Sequence, residues 1–227
     1  MNPVVGETND GYLSDIRARP VTERHVLDAL DGAAGLAEEG CVGSGAGTSA
    51  LGFKAGIGTS SRLVASSRGL ATVGVLVQAN FSGVLRVCGV PVPVDSMGFT
   101  APTPDADVDA GNSCMIVVAT DARLDGRQLA RLARRAVFAM GRVGSDFASG
   151  SGDYALAFAT AQPNSASLPE SDIDPLFAAV LEATEEALLN SLFMARTTVG
   201  VMGRVRYAVP HDRLLSLLRA HGVDVAS

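Results

Sequence analysis

Seven glycines fall between Gly40 and Gly58 in the stretch GCVGSGAGTSALGFKAGIGTSSRLV. No regular helix survives that density, because each glycine in a helix interior costs about 1 kcal/mol relative to alanine. The segment is expected to run as tight turns and close backbone approaches, with short strands near residues 51–53 and 61–64. It also invites a phosphate-loop reading. That reading fails in detail, since no Gly-Lys-Ser/Thr follows and no strand-then-helix frame surrounds it.

The rest of the chain is richer in apolar residues. Of 227 residues, 47% are hydrophobic and 19% charged, enough for the core of one large domain and too apolar for disorder. The net charge is -6 and the basic residues are scattered, so no nucleic-acid partner is expected. Cys41, Cys88 and Cys114 are odd in number and irregular in spacing, which argues against a disulfide framework. No His/Cys/Asp spacing makes a zinc site, and neither a metal nor a cofactor is expected. No apolar run is long enough to span a membrane. The opening MNPVVGETNDG has neither the basic nor the apolar part of a signal peptide, so the expected location is cytoplasmic.

Along the chain, Thr22 is a candidate N-cap for a helix carrying Val26, Leu27, Leu30 and Leu36, with Gly40 as its stop. GLATVGVLVQANF reads as a strand ending at Gln78-Ala79-Asn80. VLRVCGVPVPV reads as a second strand, confined to an edge by Pro91 and Pro93. A Pro- and Asp-rich loop over 95–111 leads to a strand over 114–120. DGRQLARLARRAVFAMGRVG is a helix with Leu129, Leu132, Ala133, Ala136 and Val137 on one face. A strand (DYALAFAT), a long helix from Asp172 with Pro175 in its first turn, and a short helix over 212–221 complete the order. This is no repeating βαβ pattern. It predicts an α+β sheet layer with helices packed outside.

Several polar residues could carry chemistry. Gly111-Asn112-Ser113 runs into the apolar strand, which sets a small hydroxyl at its mouth. In ASGSGDYALAF, Ser149, Ser151 and Asp153 alternate and share one face of an extended chain, so Asp153 could orient the Ser151 hydroxyl. Asn80 could donate its amide to a developing oxyanion. Glu7, ahead of Asn9 and Asp10, could meet a cationic substrate group. Each has a plain alternative: loop punctuation, a Ser/Gly loop, a strand-ending Asn and a solvated turn.

Taken together, five ordered motifs carry a resemblance: NPVVGETNDGYLSDI, VGSGAGTSALGFKAGIGTSSR, VGVLVQAN, GNSCMIVVATDARL and GSGDYALAF. In this order they resemble the L-aminopeptidase/D-esterase (DmpA-like) family, which includes the β-peptidyl aminopeptidases. EATEEALLNSLFMA resembles that family's C-terminal helix. The resemblance implies an αββα sandwich of the kind shared with ornithine acetyltransferase, and one self-processing domain over 1–227. It implies self-cleavage at Asn112-Ser113, giving parts 1–112 and 113–227, with Ser113 as the freed nucleophile. It further implies Ser151 and Asp153 as assisting residues, Asn80 in the oxyanion hole, and Glu7 with Asn9 at the substrate amine. The implied enzyme is a serine aminopeptidase acting on small peptides, amides or esters, and a homo-oligomer. Family members usually carry a long segment ahead of NPVVGE, whereas Met1-Asn2 begins almost on the motif, so a truncated form is expected, with Glu7 poorly anchored near the chain end. Two other readings stand beside this one: an acyltransferase like ornithine acetyltransferase, disfavoured because its nucleophile would be Thr, and an inactive remnant.

Overall fold

The computed structural model describes residues 4–33, 35–99, 113–161 and 167–225. In chain order, helix α1 spans Glu23–Asp31, and β1 (Ser49–Ala50) pairs with β2 (Phe53–Lys54). Two ten-residue strands follow, β3 (Ile57–Ser66) and β4 (Gly69–Gln78). A small hairpin joins β5 (Arg86–Val87) to β6 (Val90–Pro91). Then come β7 (Met115–Thr120), α2 (Gly126–Val143), β8 (Tyr154–Ala159) and α3 (Ile173–Phe193). The chain closes with the paired strands β9 (Thr198–Val199) and β10 (Val205–Arg206), and with α4 (His211–Ala220).

The alternating valines of β4 explain the centre of the molecule. Val73, Val75 and Val77 point to one face with Ile116 and Val118 of β7, and all five are buried. The main sheet runs β3-β4-β7-β8, antiparallel except for the parallel pair β7-β8, whose crossover is α2. Helices α2 and α3 cover this face. Leu176, Val180, Ala183, Ala187 and Leu188 of α3 and Leu132, Ala136 and Met140 of α2 are wholly buried. Helix α3 lies close on β3, since a β-carbon on Gly58 would stand 1.9 Å from the Ala187 carbonyl oxygen. The opposite face of the sheet is apolar but open among the described residues, with Leu63, Leu70, Tyr154, Leu156 and Phe158 exposed. The fold is an α+β layer structure. No helix among the described residues is long and apolar enough to cross a membrane.

Several sequence expectations need correction. Helix α1 ends at Asp31 with Gly32 as its cap, nine residues after it starts at Glu23, and Gly40 instead pairs with Ile57. Residues 51–53 are not one strand: Leu51 and Gly52, both at positive φ, form the turn between β1 and β2. Residues 61–64 are the middle of a longer strand, because pairing with β4 carries the ladder through polar Thr59, Ser60 and Ser61. The expected edge strand over 84–94 is a hairpin, turned by Cys88 and Gly89 at φ 51° and 78°. The buried seam of α2 runs through Gln128, Leu132, Ala136, Ala139, Met140 and Val143, rotated from the expected face, while Leu129, Ala133 and Val137 are half-buried beside β8. Much of the loop over 95–111 lies outside the described residues.

The glycine-rich stretch is explained by contact. Gly40, Gly45 and Gly56 meet, and a β-carbon on Gly56 would stand 1.9 Å from the Gly40 carbonyl oxygen. Only glycines allow three backbone segments this close.

Candidate active site

The candidate site lies at the shared end of β4, β7 and β8, and the strand register builds it. Gln78 faces Met115 across β4 and β7. Carried two residues further, this register sets Asn80 opposite Ser113. Met115 faces Tyr154 across β7 and β8. Carried back, that register sets Gly152 beside Ser113 and Asp153 beside Cys114. The contacts follow. The Ser113 backbone N–H donates to the Asn80 carbonyl at 2.6 Å, and the Cys114 N–H donates to Asp153 Oδ1 at 3.3 Å. The Ser113 hydroxyl lies 3.6 Å from where a β-carbon on Gly152 would stand, so this glycine leaves the hydroxyl room. Asn112 lies outside the described residues.

Asn80 is buried, and its amide is nearly saturated. Its Oδ1 accepts the Ser49 N–H at 3.1 Å, and its Nδ2 donates to the Asn9 carbonyl at 3.0 Å. A primary amide carries two N–H bonds, so one donor remains after the bond to Asn9. Ser49 belongs to β1, within the glycine-rich stretch, and sequence reading missed its part here. Only the register of distant segments reveals it.

The N-terminal segment is anchored by its neighbours, contrary to the fraying expected of a chain end. Gln78 Nε2 donates to Thr8 Oγ1 at 2.8 Å, Gly11 N–H donates to Asn9 Oδ1 at 3.0 Å, and Gly6 lies against the Met115 side chain. Glu7 sits between these anchors, exposed at the same strand ends as Ser113.

On the far side, Ser151 Oγ donates to Asp153 Oδ1 at 2.7 Å. The shared face expected for Ser149, Ser151 and Asp153 is not formed. The chain turns at Ser149-Gly150, and the Ser151 N–H closes onto the Ala148 carbonyl at 2.9 Å, so only Ser151 and Asp153 meet. Burial, with the Asp153 charge adding to it, pushes the Cys114 thiol well above its usual range, so this neighbour of Ser113 stays a protonated, inert thiol. Sequence reading also missed Tyr154, whose ring lies over Gly152, 2.8 Å from an added β-carbon. Its signal was slight, an aromatic one residue after Asp153. Beyond Asn9 opens a cleft of about 430 Å³ lined by Gly11, Ser14, Ile16, Met202 and Arg204. Among the described residues, no group of three or more His, Cys, Asp or Glu side chains gathers to hold a metal.

The family model for peptidase family S58 matches residues 1–206. The chain belongs to this family. It is 42% identical over 240 residues to the β-peptidyl aminopeptidase BapA of Sphingosinicella xenopeptidilytica, covering 96% of this chain and 60% of that protein. Among solved structures it superposes on the PH0078 protein of Pyrococcus horikoshii OT3 with a TM-score of 0.85 and 43% identity, covering 94% of this chain and 61% of the other. It also superposes on the L-aminopeptidase D-Ala-esterase/amidase of Ochrobactrum anthropi, described as a prototype serine aminopeptidase and a variant of the Ntn hydrolase fold. There the TM-score is 0.81 and the identity 37%, over 94% of this chain and 61% of that one. The S58 chain thus spans about three-fifths of the length of the relatives it matches. The resemblance and the fold class read from the sequence agree with these findings.

Proposed function

We propose that this chain is a serine aminopeptidase whose nucleophile, Ser113, becomes N-terminal by self-cleavage at Asn112-Ser113. Its substrates are small peptides, amides or esters bearing a free amine. β-Amino acyl amides are included, given the activity named for the BapA relatives. The observation that carries this reading is the meeting of Ser113, Asn80 and the Ser151-Asp153 pair at one end of the sheet.

In the cleavage step, Ser113 Oγ attacks the Asn112 carbonyl carbon, the peptide C–N bond breaks, and an ester forms. The departing nitrogen takes the hydroxyl proton and becomes the Ser113 amine; water then hydrolyses the ester, leaving a carboxylate on Asn112 and restoring the Ser113 hydroxyl. In turnover the same Oγ attacks the substrate carbonyl. Its proton passes to the Ser113 α-amine or to the Ser151-Asp153 pair. The remaining Asn80 Nδ2–H donates to the oxyanion. The amine product leaves, and water releases the acyl group. Glu7, with Asn9 beside it, receives the substrate ammonium, and Tyr154 forms an aromatic wall next to the nucleophile.

Intact-mass measurement of the purified chain tests this. The expected result is two pieces, 1–112 and 113–227, with hydrolysis of an amine-bearing p-nitroanilide. The Ser113→Ala variant should remain one chain. A Ser113→Ala protein that still splits there, or an unsplit wild type with full peptidase activity, overturns the reading.

A further inference from the structure

Phe147 has a left-handed backbone, with φ at 49°, which a bulky side chain rarely adopts. It lies in the loop that leaves α2 and delivers Ser151 to Asp153. Such a conformation persists only where its surroundings over-determine it. Two neighbouring side chains do so here. Ser145 Oγ accepts the Phe147 N–H at 3.2 Å, and Asp146 Oδ1 accepts the Ala148 N–H at 3.2 Å. The same Asp146 oxygen accepts the Ser82 hydroxyl at 2.6 Å, and the Asp146 N–H donates to the Ser82 carbonyl at 3.4 Å. Beside it, Gly83 and Ser145 form a backbone bridge, and the Val84 N–H donates to the Gly144 carbonyl at 3.0 Å.

These bonds close a circuit around the nucleophile. Ser82 lies two residues after Asn80. Asp146 ties Ser82 to Ala148, and the Ala148 carbonyl accepts the Ser151 N–H at 2.9 Å. The Ser151 hydroxyl donates to Asp153, Asp153 accepts the Cys114 N–H, and the Ser113 N–H returns to the Asn80 carbonyl. Asp146 itself is exposed, and its carboxylate bonds to none of Ser113, Asn80, Ser151 or Asp153.

We propose that Asp146 is a positioning residue that sets the Ser151-Asp153 pair against Ser113 and Asn80. The inference rests on the serine aminopeptidase reading above. Asp146 works as an acceptor: one oxygen holds the Ser82 hydroxyl and the Ala148 N–H together. With that oxygen gone, Phe147 relaxes from its left-handed conformation, the Ala148 carbonyl turns with it, and Ser151 follows. A displacement of about 1 Å in a positioned group can cost on the order of 10²-fold in rate. The bond also joins the two pieces expected from cleavage, since Ser82 lies in 1–112 and Asp146 in 113–227.

The test compares Asp146→Ala, Asp146→Asn, Ser151→Ala and the Asp146→Ala/Ser151→Ala double variant in the whole chain, with an amine-bearing p-nitroanilide. Asp146→Ala should lower kcat by about 10- to 10²-fold with KM nearly unchanged. Asp146→Asn keeps an Oδ1 acceptor and should restore kcat. In the Ser151→Ala background, Asp146→Ala should cost no further kcat, because residues acting through one another are not additive. A general loosening of the fold would add to the loss. The Ser151 amide, followed by hydrogen exchange, should lose protection in Asp146→Ala and keep it in Asp146→Asn, a readout that needs no activity. Unchanged Ser151 exchange or parental kcat in Asp146→Ala, an Asp146→Asn as slow as Asp146→Ala, or an additive double variant would each overturn the inference. Ser151→Ala with parental kcat removes Ser151 from the proposed mechanism and the inference with it. A parent that neither splits nor hydrolyses the substrate counts against the aminopeptidase reading, and the exchange measurement then decides the inference alone.

Discussion

The backbone nitrogen of Ser113 donates to the backbone carbonyl of Asn80 at 2.6 Å. Freed by cleavage, that nitrogen becomes an amine held against a carbonyl acceptor, which favours its protonated form. If it serves as the catalytic base, kcat should rise with pH through a value at or above the ~7.7–8.0 reference for an α-amine. A kcat profile measured between pH 5 and pH 10 that rises only below pH 7 would assign the proton to the Ser151-Asp153 pair instead.

Asn80→Ala should lower kcat on the order of 10²-fold if the spare amide N–H meets the oxyanion. It also strips partners from the Ser49 N–H and the Asn9 carbonyl, at a cost of about 1–3 kcal/mol. Kinetics and urea unfolding must therefore be read together. A loss of stability with unchanged kcat would make Asn80 a scaffold residue only.

Glu7→Gln should raise KM for free-amine substrates far more than for N-blocked esters, leaving kcat nearly unchanged. Equal KM effects on both substrates would remove Glu7 from amine recognition.

Glu186, on α3, accepts from the Ser60 hydroxyl at 2.7 Å and pairs with Arg62 at 2.6 Å, both on β3. Ser60 first, then Arg62, hold its carboxyl below the usual carboxylate range. A lowered folded pKa stabilises above the unfolded value of ~4.3 and is lost as pH falls through the folded value. Because the pair is half exposed, its contribution is about 0.2–1 kcal/mol. Chemical unfolding at pH 7 and pH 3 should show Glu186→Gln losing this increment at pH 7 and lying closer to the parent at pH 3.

Gly56→Ala sets a methyl group into the Gly40 carbonyl, and backbone on both sides leaves little room to yield. A cost of at least about 1–3 kcal/mol is expected. A midpoint within error of the parent in thermal unfolding would contradict the close approach.

The long elements were legible in the sequence because their signals are repeated. The alternating valines of β4 and the recurring apolar positions of α2, Leu132 and Ala136 among them, each say the same thing several times. The small hairpins were not, because a turn such as Leu51-Gly52 depends on backbone angles that leucine does not advertise. Ser113, Asn80, Ser151 and Asp153 could be named from residue type and motif. Their meeting could not, since it follows from the register of β4, β7 and β8. Ser49 and the fully buried Lys54 carry no local signal, as composition alone places a lysine on the surface.

Strand β7 lies inside the sheet, with β4 on one side and β8 on the other. A backbone break just ahead of Ser113 would therefore be a nick and not a division. The first piece would keep β3 and β4, and the second would keep β7, β8, α2 and α3. Yet the ladder from Val73-Thr120 to Gln78-Met115 would still stitch the two together, and α3 would still lie across β3 and β4. Such a protein would run as two bands in denaturant and as one particle in buffer.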